Sequence, residues 1–271
     1  MAYKVGFIGT GNMGGAIIRS IVHGDTKEYC SVSAFDVNTA LLEGLSAELG
    51  ITAAASASEL VKGSDIIILA VKPQYCENVL KEIRTAFTPE KILVSIIVGV
   101  PISYYENILG KNIKIIRTMP NTPAMVGEGM TLLCCNNFIT PLEKQAVMKL
   151  LSFSGIVEEL DESLMSEVTA LTSSSPAYVF IFIEAMADAA VQSGIPRKLA
   201  YRLAAQAVLG SAKMVLETGR HPGELKDMVC SPAGTTIEAV AALEREGFRN
   251  AVITAMGECT KKAREIGQTK K

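Results

Sequence analysis

The stretch YKVGFIGTGNMG at residues 3–14 joins an apolar strand pattern directly to three spaced glycines. The glycines form a G-x-G-x-x-G motif between a predicted strand, Tyr3–Ile8, and a predicted helix that begins near Asn12. In this motif the first glycine permits a tight turn, the second lets the backbone approach a pyrophosphate, and the third lets helix and strand pack closely. Free N–H groups at the helix start then hold the phosphates of a dinucleotide. The alternative is a plain strand–helix turn without a ligand.

Short apolar runs alternate with amphipathic stretches over residues 1–161. The apolar runs are rich in Val and Ile and are bounded by Gly, Pro, Asn or Asp, as is typical of strands buried on both faces. This alternation predicts an α/β chain whose N-terminal, Rossmann-type domain, residues 1–161, is a mostly parallel sheet. The helical patterns between the strands are Ala16–His23, Ala40–Leu49, Cys76–Ala86 and Pro141–Phe153.

Residues 162–271 carry helical patterns without strands. The first pattern breaks at Ser175-Pro176, where proline removes a helix donor, and Pro196 stands where a new helix would begin. The segment Leu199–Leu216 is apolar on most faces, so it must be buried. In a half of about 110 residues, part of that surface is expected to lie against a second copy of the chain. We therefore predict an all-α substrate-binding and dimerisation domain. Its last two helices are predicted at Thr236–Glu246 and Phe248–Ile266.

Charge and cysteine usage exclude several classes of protein. The formal net charge is −2, and no basic stripe indicates a nucleic acid or an anionic membrane as partner. The six cysteines form no C-x-x-C pair and only two histidines accompany them, so no metal site is expected. Cys134-Cys135 could form a vicinal disulfide, but two small apolar residues in a buried strand is the favoured interpretation. No signal peptide and no uncharged apolar run of membrane length is found, which predicts a reduced, cytoplasmic protein.

Three further positions border the predicted dinucleotide. Asp36 follows the second strand and would accept hydrogen bonds from a ribose 2′-hydroxyl, or it would cap the next helix. Lys72 lies at the end of another strand, where ligands of such sheets bind, and a cofactor contact is favoured over a catalytic lysine. Asn121 stands between two prolines and would face the nicotinamide or substrate, or only shape a turn. The expected cofactor-binding residues are Ile8, Gly9, Thr10, Gly11, Asn12, Met13, Gly14, Asp36, Ala70, Val71, Lys72, Pro73 and Asn121.

Three segments resemble the Δ1-pyrroline-5-carboxylate reductase family. They are RTMPNTP at 117–123, LTSSSPAYVF at 171–180 and HPGELKDMVCSPAGTTIEAVAALEREGF at 221–248, in the order of that family. The third contains the family's C-terminal signature at residues 234–240, and the resemblance covers nearly the whole chain. It implies NAD(P)H-dependent reduction of a cyclic imine, pyrroline-5-carboxylate, to L-proline, the last step of proline biosynthesis. It also implies a helical domain that intertwines with a partner subunit, in dimers that can assemble into rings.

The resemblance also implies a substrate site at the signature. The family's threonine, which hydrogen-bonds the substrate ring nitrogen, falls on Thr236, our predicted catalytic residue. The loop that binds the substrate carboxylate falls on residues 231–236. The chemistry agrees, because successive N–H groups at a helix start suit a carboxylate, and a hydroxyl serves the nitrogen in both its states. The alternative is a loop and helix cap without a ligand. The expected substrate-binding residues are Ser231, Ala233, Gly234, Thr235 and Thr236.

The chain departs from the family pattern at a few positions. Ser173, Ser175 and Ala233 stand where glycine is usual. Ala57 stands where an asparagine near the ribose is common, and the neighbouring Ser56 is expected to replace it in the cofactor site.

The choice between NADH and NADPH depends on Asp36. Its carboxylate would repel a 2′-phosphate, and residues 35–50 contain no Lys or Arg to relieve that repulsion. NADH is therefore predicted to serve at least as well as NADPH.

Two rival functions remain. One is another NAD(P)-dependent imine or β-hydroxyacid oxidoreductase, since the β-hydroxyacid enzymes share the Gly-x-Gly-x-Met-Gly start. Those enzymes are expected to carry a catalytic lysine after the dinucleotide domain, but Leu164–Ile183 contains none. The other is a non-catalytic, dinucleotide-sensing protein, against which the intact Thr236 loop argues.

Overall fold

The structure, a computed structural model, describes residues 2–24 and 29–268 and divides into two compact units. The first unit runs to Ser173 and resumes at Thr260, and the second comprises Ser174–Cys259. This division falls at residue 173 rather than at residue 161, and the domain limits 1–161 and 162–271 stay a prediction.

The first unit is built on one eight-stranded sheet with the order β3-β2-β1-β4-β5-β6-β7-β8. Every neighbouring pair is parallel except β6 and β7, which are antiparallel. The predicted Rossmann-type, mostly parallel sheet is confirmed. The antiparallel pair follows from a short connection, because parallel strands need a longer crossover. The strands are β1 Tyr3–Ile8, β2 Cys30–Phe35, β3 Thr52–Ala53, β4 Ile66–Leu69, β5 Ile92–Ser95, β6 Lys114–Met119, β7 Gly129–Cys135 and β8 Gly155–Glu159.

The helices cover both faces of the sheet in the first unit and form most of the second. The four helical patterns predicted in the first half are found in α1, α2, α4 and α6, whereas α3, α5 and α9 were not predicted. These three helices have six to eight residues, too few for a helical period to stand out. The helices are α1 Asn12–His23, α2 Thr39–Leu49, α3 Ala57–Lys62, α4 Cys76–Ile83, α5 Ile102–Leu109, α6 Pro141–Leu151, α7 Ser175–Gln192, α8 Arg197–Thr218, α9 Pro222–Val229, α10 Thr235–Arg245 and α11 Phe248–Gln268.

Two apolar cores lie on opposite faces of the sheet. Strand β4, with the sequence IIIL, contributes to both of them, since successive side chains of a strand point to opposite faces. Ile66 and Ile68 belong to one core, and Ile67 and Leu69 belong to the other. Burial on both faces explains why the strands read as continuous apolar runs.

The second unit exposes much of its apolar surface. Helix α7 begins at Ser175 with Pro176 in its first turn, after a π-helical turn at Thr169–Ser173, as the predicted break requires. On α7, the side chains of Val179, Phe180, Ile181 and Phe182 are exposed, and further exposed leucines follow on α8. Among the described residues, Thr169–Gln192 is long and apolar enough to cross a membrane by length and composition alone, although it contains Glu184 and Asp188.

Candidate active site

The glycine-rich loop lies between β1 and α1, and its geometry requires two of its three glycines. Gly9 has a φ of +103°, and a Cβ there would lie 2.6 Å from the carbonyl oxygen of Ala70. A Cβ on Gly14 would lie 2.3 Å from the carbonyl oxygen of Gly9. At Gly11, by contrast, an added Cβ would meet nothing within 4 Å. The loop therefore packs tightly against the end of β4 and leaves open space beside Gly11.

The start of α1 faces this open space and suits an anion. Gly11 is the N-cap residue, no side chain caps the helix, and no acidic residue stands in its first turn. The first N–H groups of a helix have no partner within the helix and carry a partial positive charge. The residues present therefore fit the pyrophosphate of a dinucleotide. The side chains beside it differ in exposure: Ile8 and Thr10 are buried, Met13 is half-buried and Asn12 is exposed.

Asp36 is bound to the glycine-rich loop. Its Oδ2 accepts hydrogen bonds from the backbone N–H of Thr10 at 2.6 Å and from Thr10 Oγ1 at 2.9 Å. Its Oδ1 accepts from the N–H of Asn38 at 2.9 Å. Asn38, not Asp36, caps α2, by accepting from the N–H of Leu41 at 3.2 Å. The alternative role of Asp36 as a helix cap is therefore wrong, and the ribose contact stays a prediction.

The end of β4 meets the same loop. The N–H of Ala70 donates to the carbonyl oxygen of Ile8 at 2.8 Å, which holds the two strand ends together. Val71 is half-buried, Lys72 is exposed, and Pro73 begins a 3₁₀ turn. The structure thus places these residues at the carboxyl edge of the sheet, where ligands of such folds bind. Their contacts with the cofactor stay a prediction.

Ser56 is the N-cap of α3. Its Oγ accepts from the N–H of Glu59 at 3.1 Å, and the hydroxyl keeps its own proton to donate. Ala57, at the position of the family's asparagine, is completely buried in one of the two cores. Any hydrogen bond that this segment offers to a ribose must therefore come from Ser56, from the backbone or from Ser58, whose hydroxyl donates to the carbonyl oxygen of Glu82 at 3.0 Å.

Asn121 joins three segments of the first unit. Its Nδ2 donates to the carbonyl oxygen of Thr172 at 3.0 Å, and its Oδ1 accepts from the N–H of Met130 at 2.9 Å. Thr172 belongs to the π-helical turn, and Met130 lies on β7. These contacts match the structural interpretation of Asn121. A ligand contact could still use its second amide proton or the second lone pair of Oδ1, and it stays a prediction.

The Gly-Thr-Thr segment of the second unit opens with a tight turn. The N–H of Gly234 donates to the carbonyl oxygen of Ser231 at 3.0 Å, with Pro232 and Ala233 at the centre of the turn. Ala233 has a φ of +57°, and among the described residues it is the one non-glycine with a positive φ. A Cβ on Gly234 would lie 2.3 Å from Ser231 Oγ, so a larger residue there would require the serine side chain to move. Helix α10 begins directly after this turn.

Helix α10 starts with free N–H groups and two threonines. Gly234 is its N-cap residue, and no side chain caps the helix. Thr235 is exposed and Thr236 is half-buried, and both lie in the first turn. A carboxylate can be held by these N–H groups while the Thr236 hydroxyl reaches a neighbouring polar atom. The fold thus brings the five predicted substrate residues together in the second unit, and all predicted cofactor residues lie in the first.

The sequence predictions cover both the clustering of the ionisable groups and the state of the cysteines. No cluster of three or more His, Cys, Asp or Glu residues that could hold a metal occurs within residues 2–24 and 29–268. None of the six cysteines forms a disulfide, so Cys134 and Cys135 are not a vicinal disulfide pair. Burial raises the pKa of the Cys134 thiol to about 12, which keeps it protonated at neutral pH.

Comparison with known proteins identifies the family. Residues 162–266 match a family profile described as pyrroline-5-carboxylate reductase dimerisation, and residues 4–99 match one described as NADP oxidoreductase, coenzyme F420-dependent. The chain is 47% identical over 269 residues to the pyrroline-5-carboxylate reductase of Escherichia coli (strain K12), covering 99% of this chain and 100% of that protein.

Two solved structures are similar over the same length. The pyrroline-5-carboxylate reductase of Coxiella burnetii has a TM-score of 0.91 at 30% identity, covering 98% of this chain and 99% of that one. A Plasmodium falciparum pyrroline carboxylate reductase with NADP bound has a TM-score of 0.85 at 33% identity, covering 98% of each chain. Since the Escherichia coli protein is 47% identical over 99% of this chain, the chain belongs to the pyrroline-5-carboxylate reductase family.

Proposed function

We propose that this protein reduces L-Δ1-pyrroline-5-carboxylate to L-proline with NADH or NADPH. Of the residues named above, those of the first unit bind the cofactor and those of the second bind the substrate. The observation that carries the proposal is that two helices without a side-chain cap each begin directly after a glycine-containing turn. Helix α1 follows the glycine-rich loop, which leaves open space beside Gly11, and α10 follows the turn that places two threonines in its first turn. Each offers free N–H groups to an anion, a pyrophosphate at the first and a substrate carboxylate at the second.

The first unit holds the cofactor. The loop at residues 9–14 and the start of α1 take the pyrophosphate, and Asp36 and Ser56 face the ribose side. Ala70 to Pro73 border the cofactor at the end of β4, with Asn121 beyond them. When bound, the nicotinamide supplies the hydride, so the protein itself needs no redox group. Its task is to bind, orient and hold a proton in place.

The second unit holds the substrate through the turn and the first turn of α10. The N–H groups there bind the carboxylate, and this anchors the ring. The substrate nitrogen is basic enough to carry a proton as the imine, and the Thr236 hydroxyl accepts a hydrogen bond from that N–H. Once C5 is reduced, the nitrogen is an amine with a lone pair, and the same hydroxyl donates to it. A hydroxyl suits both states because it is donor and acceptor.

The test is an assay of purified protein with pyrroline-5-carboxylate and reduced cofactor. Loss of cofactor absorbance and formation of proline, identified by mass, are expected in equal amounts. A β-hydroxyacid with oxidised cofactor is the comparison substrate, and we expect no turnover of it. Turnover of the hydroxyacid alone would favour the rival oxidoreductase. Cofactor binding without turnover of either substrate would favour the dinucleotide-sensing protein.

The setting of the reaction is also part of the proposal. The helical unit matches the family's dimerisation profile, so the protein acts as a dimer, and a ring of dimers stays a prediction. We place it in the cytoplasm, where its six cysteine thiols stay reduced and where reduced nicotinamide cofactors are available.

A further inference from the structure

The proposed function gives no role to the hydroxyl of Thr10, yet this hydroxyl is buried and bound to the carboxylate of Asp36. Thr10 is 3% exposed, and its Oγ1 donates to Asp36 Oδ2 at 2.9 Å. We propose that Thr10 is a specificity-determining positioning residue, which sets the preference for NADH over NADPH by fixing the carboxylate of Asp36. The proposal deepens the cofactor part of the proposed function and rests on it.

The register of the sheet brings the two residues together. Strands β1 and β2 are parallel, with Ile8 opposite Phe35, so the residues that follow both strands emerge side by side. The N–H of Gly9 donates to the carbonyl oxygen of Phe35 at 2.8 Å and continues the pairing. Thr10 then reaches Asp36 with both its backbone N–H and its hydroxyl. The contact is therefore built into the sheet.

Three donors hold the carboxylate of Asp36. Two of them, both from Thr10, bind Oδ2, and the third, the N–H of Asn38, binds Oδ1. Asn38 is itself fixed as the cap of α2. A carboxylate held at both oxygens cannot rotate without breaking hydrogen bonds. Each oxygen of an ionised carboxylate has about two acceptor sites, so Oδ1 keeps one for a ribose hydroxyl.

This rigidity separates the two cofactors. A free aspartate can turn to another rotamer and move its charge away from a 2′-phosphate. A fixed aspartate cannot, and within residues 35–50 no Lys or Arg neutralises it. A 2′-hydroxyl, in contrast, gains an acceptor that is already in place. Thr10 therefore acts through Asp36, in favour of the hydroxyl and against the phosphate.

The test measures the dissociation constants of NAD⁺ and NADP⁺ by isothermal titration calorimetry on the intact protein, without substrate. In Thr10→Val, which keeps the shape and loses the hydroxyl, the ratio Kd(NADP⁺)/Kd(NAD⁺) should fall about 5- to 10-fold, the worth of one hydrogen bond. Thr10→Ser should keep the wild-type ratio. Asp36→Asn should lower the ratio at least as far as Thr10→Val.

A matched control is Thr118→Val. Thr118 is 2% exposed, and its hydroxyl donates to the carbonyl oxygen of Ser95 at 3.0 Å, so the same buried group is lost at another place in the sheet. The ratio should not change in this variant. If Thr10→Val does not fold, Thr10→Ala takes its place.

An unchanged ratio in Thr10→Val would overturn the proposal, whatever Asp36→Asn does. It can arise in two ways: neither affinity changes, or both fall equally, and the second would give Thr10 a role in the shape of the loop alone. Because no substrate is present, these results are distinct from a failure of the proposed function, which would appear as bound cofactor without reduction of pyrroline-5-carboxylate.

Discussion

Ala233 stands in a backbone conformation that glycine adopts more easily. Its φ of +57° lies in the left-handed region, which costs an L-residue about 1–2 kcal/mol. We predict that Ala233→Gly raises the free energy of unfolding by up to about 1 kcal/mol, because the relief of strain exceeds the cost of about 0.4–1 kcal/mol from a more flexible unfolded chain. Denaturant unfolding at fixed protein concentration measures it. The control is Ala55→Gly, at an exposed bend where φ is not positive, which should lower stability. Equal losses in both variants would contradict the prediction.

The proposed role of the Thr236 hydroxyl can be tested directly by substitution. Thr236→Ala should lower kcat/KM for pyrroline-5-carboxylate about 10- to 100-fold, since one positioned hydrogen bond worth about 1–3 kcal/mol is lost. The affinity for the cofactor should hardly change. Thr236→Ser, which keeps the hydroxyl, should retain most of the activity. Wild-type kcat/KM in the alanine variant would remove Thr236 from the mechanism.

At the scale of the element, helix α7 explains why the chain dimerises. Ile181 is 65% exposed on a helix whose neighbouring residues are also apolar and exposed, and the matched family profile describes dimerisation. An apolar face of this extent on one subunit is expected to be buried by the other. The apolar stretch of membrane length is then covered by protein, namely by the other subunit.

We predict that the wild-type protein has no stable folded monomer at micromolar concentration. Ile181→Asp should abolish the dimer, because a charge would be buried without a partner. Light scattering measures whether the protein is a monomer or a dimer, and thermal unfolding measures its stability. The control is Leu142→Asp on α6 of the first unit, where Leu142 is 76% exposed, and this change should leave the dimer intact. A folded wild-type monomer, or a dimer of normal stability in Ile181→Asp, would count against the prediction.

The cofactor preference depends on the whole molecule, because a lysine from any part of the chain that reached the ribose site could offset the negative charge of Asp36. Lys62, at the end of α3, is exposed and is one candidate. We predict that kcat/KM with NADH is at least equal to that with NADPH. An unrelieved pair of unit charges about 5 Å apart costs about 3 kcal/mol at an effective dielectric of about 20.

Asp36→Ala should shift the ratio of kcat/KM values toward NADPH. Because the structure ties Asp36 to Thr10, the variant should also bind both cofactors less tightly as the glycine-rich loop loses its anchor. The ratio of kcat/KM values and the affinity for each cofactor are both measured at a fixed concentration of pyrroline-5-carboxylate. A tenfold or greater preference of the wild type for NADPH, or an unshifted ratio in Asp36→Ala, would refute the prediction.

The amino-acid sequence by itself determined the class of fold and the position of two glycine-containing helix starts. Continuous apolar runs and their spacing predict the mostly parallel sheet, because a strand that is buried on both faces does not alternate apolar and polar residues. The glycines at 9, 11 and 14 and the Gly-Thr-Thr segment at 234–236 are local signals, and both mark helix starts as predicted. Such features depend on residues close together in the chain, so they can be read without the tertiary structure.

Only the tertiary structure decided how the side chains of these segments are used. Asp36 meets Thr10 across 26 residues because the register of β1 and β2 places them together. The amide of Asn121 meets the π-helical turn across 51 residues. Ala233 was recognised as a substitution for glycine, but its positive φ follows from the folded turn. Hydrogen bonds between distant residues depend on register and packing, and no local pattern in the sequence contains either.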